Sequence, residues 1–312
     1  MKLIKPSFKI WNQPAGLEGV YKQIEKVGRV CYKSEDKMTE DSAKPFVERM
    51  TKSGHGAMLE HGTVYLKVTN KGLSLDNYDK NQVENKYISN PYSKVIFGKY
   101  PKYNSYGEKL EATQEVYITT NYRVLVENGW LDDLQYICEP TEFHAKRITV
   151  HFVCDRGVSH EFVRHRVMSF AQESTRYCNY SKDKFGNEIT FIIPSWLGLS
   201  KGSYTYDYPS GFTKDGNKWN SEIEFNLFLL SLARSEATYL ELIEQGWTPQ
   251  QARAVLPNAL KTELVMTGFV SDWKRFFRLR SRIAKTGKPH PQAQELADPL
   301  MDEFIARKYI NN

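Results

Sequence analysis

The stretch Lys146–Cys154 constrains the fold more than any other part of this sequence, because apolar residues recur at every second position along it. Its apolar face consists of Ile148, Val150, Phe152 and Cys154. His151 points to the opposite face. A period of two predicts a strand that is buried on one face, which is typical of antiparallel sheets.

Helical patterns occur on both sides of this strand. Apolar spacing predicts a helix over 17–27, which Gly28 is expected to end before a short strand over 29–32. Further helices are predicted over 45–53, 221–246 and 272–284. Strands and helices show no βαβ alternation, so we expect an α+β fold: a mixed, mainly antiparallel sheet flanked by helices.

The length of 312 residues suits one large domain or two smaller ones. We expect a single elaborated domain over 1–312. Two polar stretches, near 70–146 and 200–220, are interpreted as insertions, and the second is rich in Gly and Pro breakers.

Charge and composition exclude several classes of protein. The chain carries 43 Lys and Arg against 37 Asp and Glu, a net charge of +6 that suits an anionic partner without identifying it. No apolar run reaches the roughly 18–20 residues of a membrane span, and the first thirty residues show no signal-peptide pattern. We therefore expect a cytoplasmic protein without a membrane partner.

The four cysteines are far apart and form no CxxC pair, which disfavours a disulfide framework and a zinc knuckle. Cys154 is interpreted as a small core residue. The pair Glu60-His61 offers only two metal ligands, so no metal site is predicted.

The segment Arg164–Tyr177 carries the most chemical information. If it is helical, Arg164 and Arg166 point about 200° apart around the axis and cannot share one solvent-facing stripe. With Val163 and Val167 expected to be buried, one guanidinium then has to enter a cleft or an interface. There it needs an anionic or hydrogen-bonding partner.

Beyond Phe170 the segment becomes polar. Five consecutive residues carry polar side chains: Gln172, Glu173, Ser174, Thr175 and Arg176. A hydroxyl, loop amides and an arginine fork suit a phosphate or a planar carbonyl edge. The alternative is a solvated helix end whose arginines have no special role.

The triplet Arg164-His165-Arg166, followed by seven residues and Ser174, resembles the signature of the flavin-dependent thymidylate synthase family, and the similarity extends to Arg176-Tyr177. Three other blocks resemble the family in the same order: Gly54-His55 with Glu60-His61, the ARAVLP run at 252–257, and Trp273 to Arg280. The four blocks cover the ends and the middle of the chain. The similarity lapses in the two polar insertions.

The resemblance implies a set of binding residues. Those that would contact FAD are His55, Ala57, Arg164, His165, Arg166 and Gln172. Those that would hold dUMP are Glu161, Arg164, Gln172, Glu173, Ser174, Thr175, Arg176, Arg253 and Arg280. Arg280 would be the catalytic residue, since it would lie at the pyrimidine and help to ionise N3, which activates C6 towards the flavin hydride.

The resemblance also implies the reaction and its partners. The product would be dTMP, methylenetetrahydrofolate the carbon donor and NADPH the reductant of FAD. The enzyme would be a homotetramer with active sites shared between subunits, and it would bind neither nucleic acid nor membrane. Guanidinium groups from distant stretches, among them Arg164, Arg253 and Arg280, would converge on one pocket.

The position of Arg280 agrees with such a role. It follows Phe276 by four residues and Phe277 by three, and precedes Ile283 by three, so it lies on or beside the apolar stripe of its helix. A fixed cation beside a developing pyrimidine anion is the electrostatic stabilisation that the reaction requires. The alternative is an arginine that lies along the apolar face or pairs with an acid.

The chain departs from the family at several positions. Ala171-Gln172 stands where the family often has Asn followed by Glu or Gln. Phe269, Ser271 and Arg275 stand where Asn, Arg and Asn are expected to contact FAD from the opposite subunit, and Phe269 is suited to stacking on a ring instead. No GxGxxG follows a strand, which excludes a Rossmann flavoprotein.

Other interpretations stay open. Ser174 is assigned to phosphate or backbone contacts and not to nucleophilic attack, because no base is visibly tied to it. No cysteine lies in a recognisable nucleophile setting, which favours hydride chemistry by a cofactor. The same fold is compatible with another C5 modification, such as hydroxymethylation, and a nucleic-acid-binding protein is the alternative from a different class.

Overall fold

The computed structural model describes residues 1–71, 83–98, 113–182, 185–219, 222–285 and 287–311. Its strands are β1 (Lys2–Ile4), β2 (Ser7–Trp11), β3 (Thr63–Lys71), β4 (Lys94–Phe97), β5 (Thr113–Asn121), β6 (Arg147–Asp155), β7 (Ser169–Gln172), β8 (Thr190–Ile192), β9 (Gly202–Asp207), β10 (Gly211–Lys214), β11 (Asn217–Lys218) and β12 (Lys261–Phe269).

Helices account for most of the remaining described chain. They are α1 (Gly16–Tyr32), α2 (Ala43–Lys52), α3 (Gly56–Leu59), α4 (Val83–Ile88), α5 (Tyr122–Asn128), α6 (Arg156–Phe162), α7 (Ile223–Glu244), α8 (Pro249–Ala252), α9 (Val270–Arg280) and α10 (Pro291–Ala306). Short 3-10 turns occur at Glu35–Lys37, Leu131–Tyr136 and Arg253–Val255. Of the helices in these ranges, none is both long enough and apolar enough to span a bilayer.

The central sheet has the order β2-β6-β12-β7 and is antiparallel throughout. The predicted strand at 146–154 is confirmed as β6, and its alternate residues Val150, Phe152 and Cys154 are fully buried. Aromatic side chains of α9 and α10 pack on this face, Trp273 and Phe304 among them. Burial of such large apolar side chains supplies most of the stabilisation of a core like this.

A second sheet joins the start of the chain to its middle, in the order β11-β10-β9-β1-β8. The β1–β8 pair is parallel, and its other pairs are antiparallel. The polar stretch predicted as an insertion near 200–220 contributes β9, β10 and β11, so it extends a sheet, and residue 220 lies outside the described residues. Helix α7 buries Leu229, Leu232 and Tyr239 in the cluster beside this sheet.

The third sheet, β3-β5-β4, joins β3, which ends where the first predicted insertion near 70–146 begins, to β4 and β5 inside that insertion. Helices α1 and α2 close its core with Val20, Ile24 and Phe46. Residues 72–82 and 99–112 of this insertion lie outside the described residues. The α+β class with mainly antiparallel strands is thus confirmed, and the described strands form three sheets where one is expected.

Two local predictions were wrong. Helix α1 does not end at Gly28 but continues to Tyr32, and Lys33 ends it in the left-handed conformation. Gly28 is required for packing instead: a Cβ there would lie 2.5 Å from Cζ of Phe46. The helix expected over 272–284 is α9, which ends at Arg280, before Ser281 adopts an extended conformation.

Candidate active site

The signature segment, residues 164–177, follows helix α6 and enters strand β7. The turn between these two elements, residues 163–168, is called the signature turn. Asp155 caps α6, because its Oδ1 accepts a hydrogen bond of 2.8 Å from the Val158 backbone N–H. The helix ends at Phe162, so Arg164 and Arg166 lie on the turn before β7 and are exposed.

The expectation of a helical segment with buried valines was therefore wrong. Val163 and Val167 are 36% and 44% exposed, and nothing in the burial pattern forces a guanidinium of this turn into a cleft. The turn instead presents two arginines and two apolar side chains on the surface of the chain.

Arg280 reaches across to this turn from the end of α9. Its Nε donates to Nε2 of the buried His165 at 3.0 Å. Its Nη2 donates to the backbone oxygen of Glu161 at 3.0 Å, and its Nη1 forms an ion pair with the Glu161 carboxylate. The position inferred from helical spacing is confirmed, since Phe276 and Phe277 of the same helix are fully buried.

Burial, and then the neighbouring charge of Arg280, lower the pKa of His165 to about 4. The imidazole is therefore neutral at pH 7. Because Nε2 accepts from Arg280, geometry assigns the proton to Nδ1. The result is a guanidinium that is held by one neutral ring and one carboxylate.

A second cluster forms where the signature segment meets α8. Arg253 Nη1 donates to Oγ1 of Thr175 at 3.0 Å, and Arg176 Nε donates to Oε1 of Gln250 at 2.9 Å. The backbone N–H of Arg176 donates to Oγ of Ser174 at 3.3 Å. Arg176 and Arg253 are both exposed, so each guanidinium keeps donors available for an anion.

Gln172 lies between these two clusters along the chain. Its Nε2 donates to Oγ of Ser159 at 2.8 Å and to Oγ1 of Thr262 at 3.2 Å. Ser159 and Glu161 are both on α6, and Gln172 ends β7 two residues before Ser174. The Gln172 side chain therefore connects the helix of the first cluster to the strand that leads to the second.

Within the described chain, Arg280 and Arg253 belong to two hydrogen-bonded groups and Arg164 is exposed. That these three guanidinium groups converge on one pocket stays a prediction.

Unlike Arg176 in the same polar run, which is exposed, Glu173 is only 2% exposed. Its carboxylate accepts from Lys261 Nζ at 2.9 Å and from the Tyr180 hydroxyl at 3.3 Å. These three side chains line a cleft of about 370 Å³ together with Lys33.

The segment predicted to contact FAD lies against the start of β7. His55 precedes α3 and Ala57 lies in it, both are exposed, and α3 packs on β7. His55 Nδ1 lies 3.3 Å from Oγ of Ser53, so the interpretation as a satisfied loop histidine stays open beside the predicted one.

Arg147 fixes this segment, and the sequence reasoning did not identify it. Its guanidinium donates to the backbone oxygen of Glu60 at 3.1 and 3.2 Å and to Oγ of Ser169 at 3.3 Å. Burial lowers its pKa to about 10, so it stays charged at pH 7. The available signal was a lone arginine at the start of an otherwise apolar strand.

Phe269, Ser271 and Arg275, where the chain departs from the family, have different surroundings. Lys94 Nζ lies 4.5 Å from the ring centroid of Phe269 and donates to Oγ of Ser271 at 2.6 Å. Burial lowers the pKa of Lys94. Phe269 thus presents a face to an ammonium group, and Arg275 is exposed. Their predicted contacts with FAD stay predictions.

In the described ranges, burial raises the pKa of Cys31 and Cys138, although Sγ of Cys138 lies 3.8 Å from Nε2 of His144. Cys154 is fully buried, as predicted for a core residue, and burial raises its pKa far above the ordinary value. Over those ranges, no three His, Cys, Asp or Glu side chains converge as metal ligands.

Comparison with known proteins identifies a family that matches this chain. The family described as "Thymidylate synthase complementing protein" matches residues 105–307, more than half of the chain. The flavin-dependent thymidylate synthase of Pyrococcus furiosus is 31% identical over 157 residues, which are 50% of this chain and 53% of that protein.

Other relatives agree in name. The flavin-dependent thymidylate synthase of Geobacter sulfurreducens is 27% identical over 125 residues, 40% of this chain and 43% of that protein. That of Mycobacterium sp. is 28% identical over 178 residues, 51% and 56% of the two chains. The chain spans about half the length of the curated relatives that it matches.

Among solved structures, the UMP/dUMP methylase PolB from Streptomyces cacaoi, bound with 5-Br dUMP, is 16% identical. The alignment covers 98% of this chain and 93% of that one with a TM-score of 0.40. A TM-score at this level is too low to establish a shared fold.

Proposed function

The chain belongs to the thymidylate synthase complementing protein family, and from that premise we propose that it converts dUMP to dTMP by flavin-dependent reductive methylation. Methylenetetrahydrofolate would supply the carbon and NADPH would reduce FAD. The observation that carries the proposal is the contact of Arg280 with His165 and Glu161, which brings the last block of the family resemblance onto the signature turn.

The exposed residues around the signature turn fit a flavin. Arg164 and Arg166 offer guanidinium donors for its phosphates, and Val163 and Val167 offer apolar surface for its ring system. Gly54, just before His55, has a positive φ of 71° and no side chain, so a ligand could come close to the backbone there. When bound and reduced, a flavin supplies a hydride to an electron-poor carbon.

The second cluster suits the phosphate of the nucleotide. Arg176 lies on the turn that carries Ser174 and Thr175, Arg253 contacts Thr175, and the remaining guanidinium donors suit phosphate oxygens. Ser174 would bind and orient, since its Oγ already accepts from a backbone N–H and none of its hydrogen bonds in the described residues involves a base.

Arg280 would stabilise the pyrimidine as negative charge develops on it. The guanidinium is already fixed by His165 and Glu161, so little reorganisation accompanies the reaction, and such a preorganised charge lowers the barrier. The neutral His165 holds Arg280 without adding a second positive charge.

A homotetramer in the cytoplasm completes the proposal. Arg164, Arg166 and Arg253 are exposed in one chain, and a partner subunit would bring further groups to them. Phe269, Ser271 and Arg275 would then contact the flavin of a neighbouring active site.

Two measurements test the function. An absorption spectrum of the untreated protein should show oxidised flavin bands, or the protein should take up FAD on reconstitution. Turnover of dUMP with isotope-labelled methylenetetrahydrofolate and NADPH should then give a product with the mass of dTMP.

Other results of these measurements would overturn or change the proposal. A colourless protein that binds no FAD would overturn the proposal, and salt-dependent DNA binding without a response to dUMP would support a nucleic-acid-binding protein instead. A product mass that corresponds to a hydroxymethyl group would keep the fold and change the reaction.

A further inference from the structure

A network of buried charges lies directly behind the turn that carries Ser174. The side chain of Glu173 is 1% exposed and that of its partner Lys261 is 15% exposed. Lys261 also pairs with Glu263 at 2.6 Å, and Lys33 approaches the same Glu263 oxygen at 2.6 Å. A buried carboxylate is tolerated only with partners of this kind, so Glu173 depends on Lys261.

Glu263 stabilises the network from the middle of β12. Although burial opposes ionisation, the hydrogen bond from His151 and the charges of Lys261 and Lys33 hold the pKa of Glu263 well below its usual range. Two lysines therefore face the side chains of Glu263 and Glu173, and Lys261 contacts both. The network has its own internal partners and does not need a substrate to satisfy it.

Glu173 is tied to the turn by its backbone as well. Its N–H donates to the backbone oxygen of Glu263 at 2.8 Å, and the next N–H, of Ser174, donates to the oxygen of Cys31 at 3.0 Å. The oxygen of Ser174 accepts from the Cys178 N–H at 3.0 Å. The turn is therefore anchored on its inner side at Glu173, while Arg176 stays exposed on its outer side.

We propose that Glu173 is a positioning residue for the nucleotide phosphate: through Lys261 and Tyr180 it fixes the turn that presents Ser174 and Arg176. This inference rests on the proposed function. It replaces the direct contact between Glu173 and dUMP that the resemblance implies, because both carboxylate oxygens are engaged away from the exposed cluster.

The test compares dUMP with deoxyuridine, which lacks the phosphate. Glu173→Gln keeps the shape and removes the charge that holds Lys261. For the FAD-loaded protein we expect about tenfold weaker binding of dUMP, measured by equilibrium dialysis, and unchanged binding of deoxyuridine. KM for dUMP should rise while kcat stays nearly constant.

Two further variants separate positioning from a general loss of structure. Tyr180→Phe removes one hydrogen bond to Glu173 and should give a smaller loss that is again confined to dUMP. Glu173→Gln combined with Arg176→Ala should lose less dUMP binding than the sum of the two single losses, since part of the effect of Glu173 would act through Arg176.

The matched control is Glu188→Gln, because Glu188 lines the same cleft and pairs with the terminal ammonium of Met1. Its binding of both ligands should equal that of the wild type. Equal loss of dUMP and deoxyuridine in Glu173→Gln, or additive losses in the double variant, would overturn the inference. A wild type without preference for dUMP over deoxyuridine would count against the proposed function itself.

Discussion

Arg280 donates a hydrogen bond of 3.0 Å to His165 across a sequence separation of 115 residues. The contact joins the end of α9 to the signature turn, and the ion pair with Glu161 adds a second connection between the same two elements. Because all three of its nitrogens are bonded, the guanidinium of Arg280 has little conformational freedom. Its position is therefore fixed before a ligand binds.

We expect Arg280→Ala to keep FAD and to lose turnover by roughly 10²- to 10³-fold, the usual effect of removing one preorganised electrostatic group. Steady-state rates and the flavin absorbance of the same samples measure both quantities. Arg278→Ala is the control, since Arg278 is exposed on the same helix. Full activity in Arg280→Ala would remove Arg280 from the catalytic role.

Arg176→Ala and Arg253→Ala are expected chiefly to weaken nucleotide binding. Charge-assisted bonds to a phosphate act in the ground state and the transition state alike, so KM should rise with kcat little changed. Initial rates over a range of dUMP concentrations separate the two parameters. Arg234→Ala, at an exposed position of α7, should leave both unchanged. A fall in kcat at constant KM would contradict the phosphate assignment.

The stability of the unliganded protein should fall as the pH drops below about 6.5. The folded state holds the pKa of His165 near 4, whereas an unfolded histidine titrates near 6.5. Between these values the unfolded chain binds a proton that the folded chain does not, so stability present above pH 6.5 is lost on acidification. Buried His61, with a pKa lowered to about 3, acts in the same direction.

For His165 alone the loss is roughly 2 kcal/mol at pH 5, from about 1.4 kcal/mol for each pKa unit. Urea unfolding of the wild type and His165→Gln at about pH 7.5 and pH 5 measures it. The variant should lose less stability between the two pH values, and His160→Gln, at an exposed position, should behave as the wild type. An unchanged pH dependence in His165→Gln would show that the buried ring is not responsible.

Gly28→Ala should destabilise the protein although alanine favours helices. The new Cβ would lie 2.5 Å from Cζ of Phe46, and overpacking costs about 1–3 kcal/mol against a helical gain of about 1 kcal/mol. Thermal or denaturant unfolding measures the difference. Gly28→Ala combined with Phe46→Leu should recover part of the loss, and a Gly28→Ala protein as stable as the wild type would show that the ring moves away freely.

Patterns of short range predicted much of the fold. The period of two at 146–154 identified β6 within one residue at each end, because one face of that strand packs on a core and the other does not. The same logic placed Arg280 beside the apolar face of α9, where the structure has it. Both features depend only on residues a few positions apart.

Such patterns could not predict interactions between residues that are far apart in the sequence. Glu173 was grouped with the other polar residues of 172–176 as a dUMP contact, since only the fold brings Lys261 next to it. Gly28 was interpreted as a helix end, since its packing partner Phe46 belongs to another helix. The segment past Phe162 was considered as a helix with buried Val163 and Val167, and no local spacing determines whether these valines are buried.

The pairing of β1 with β8 and β9 has a consequence for biogenesis. About 190 residues separate β1 from β8, so on the ribosome the first strand emerges long before either neighbour has been translated. Its edges stay unsatisfied throughout that interval, and the second sheet closes only after most of the polypeptide has been synthesised. Chaperone protection of nascent chains is therefore most valuable for this protein before β9 emerges.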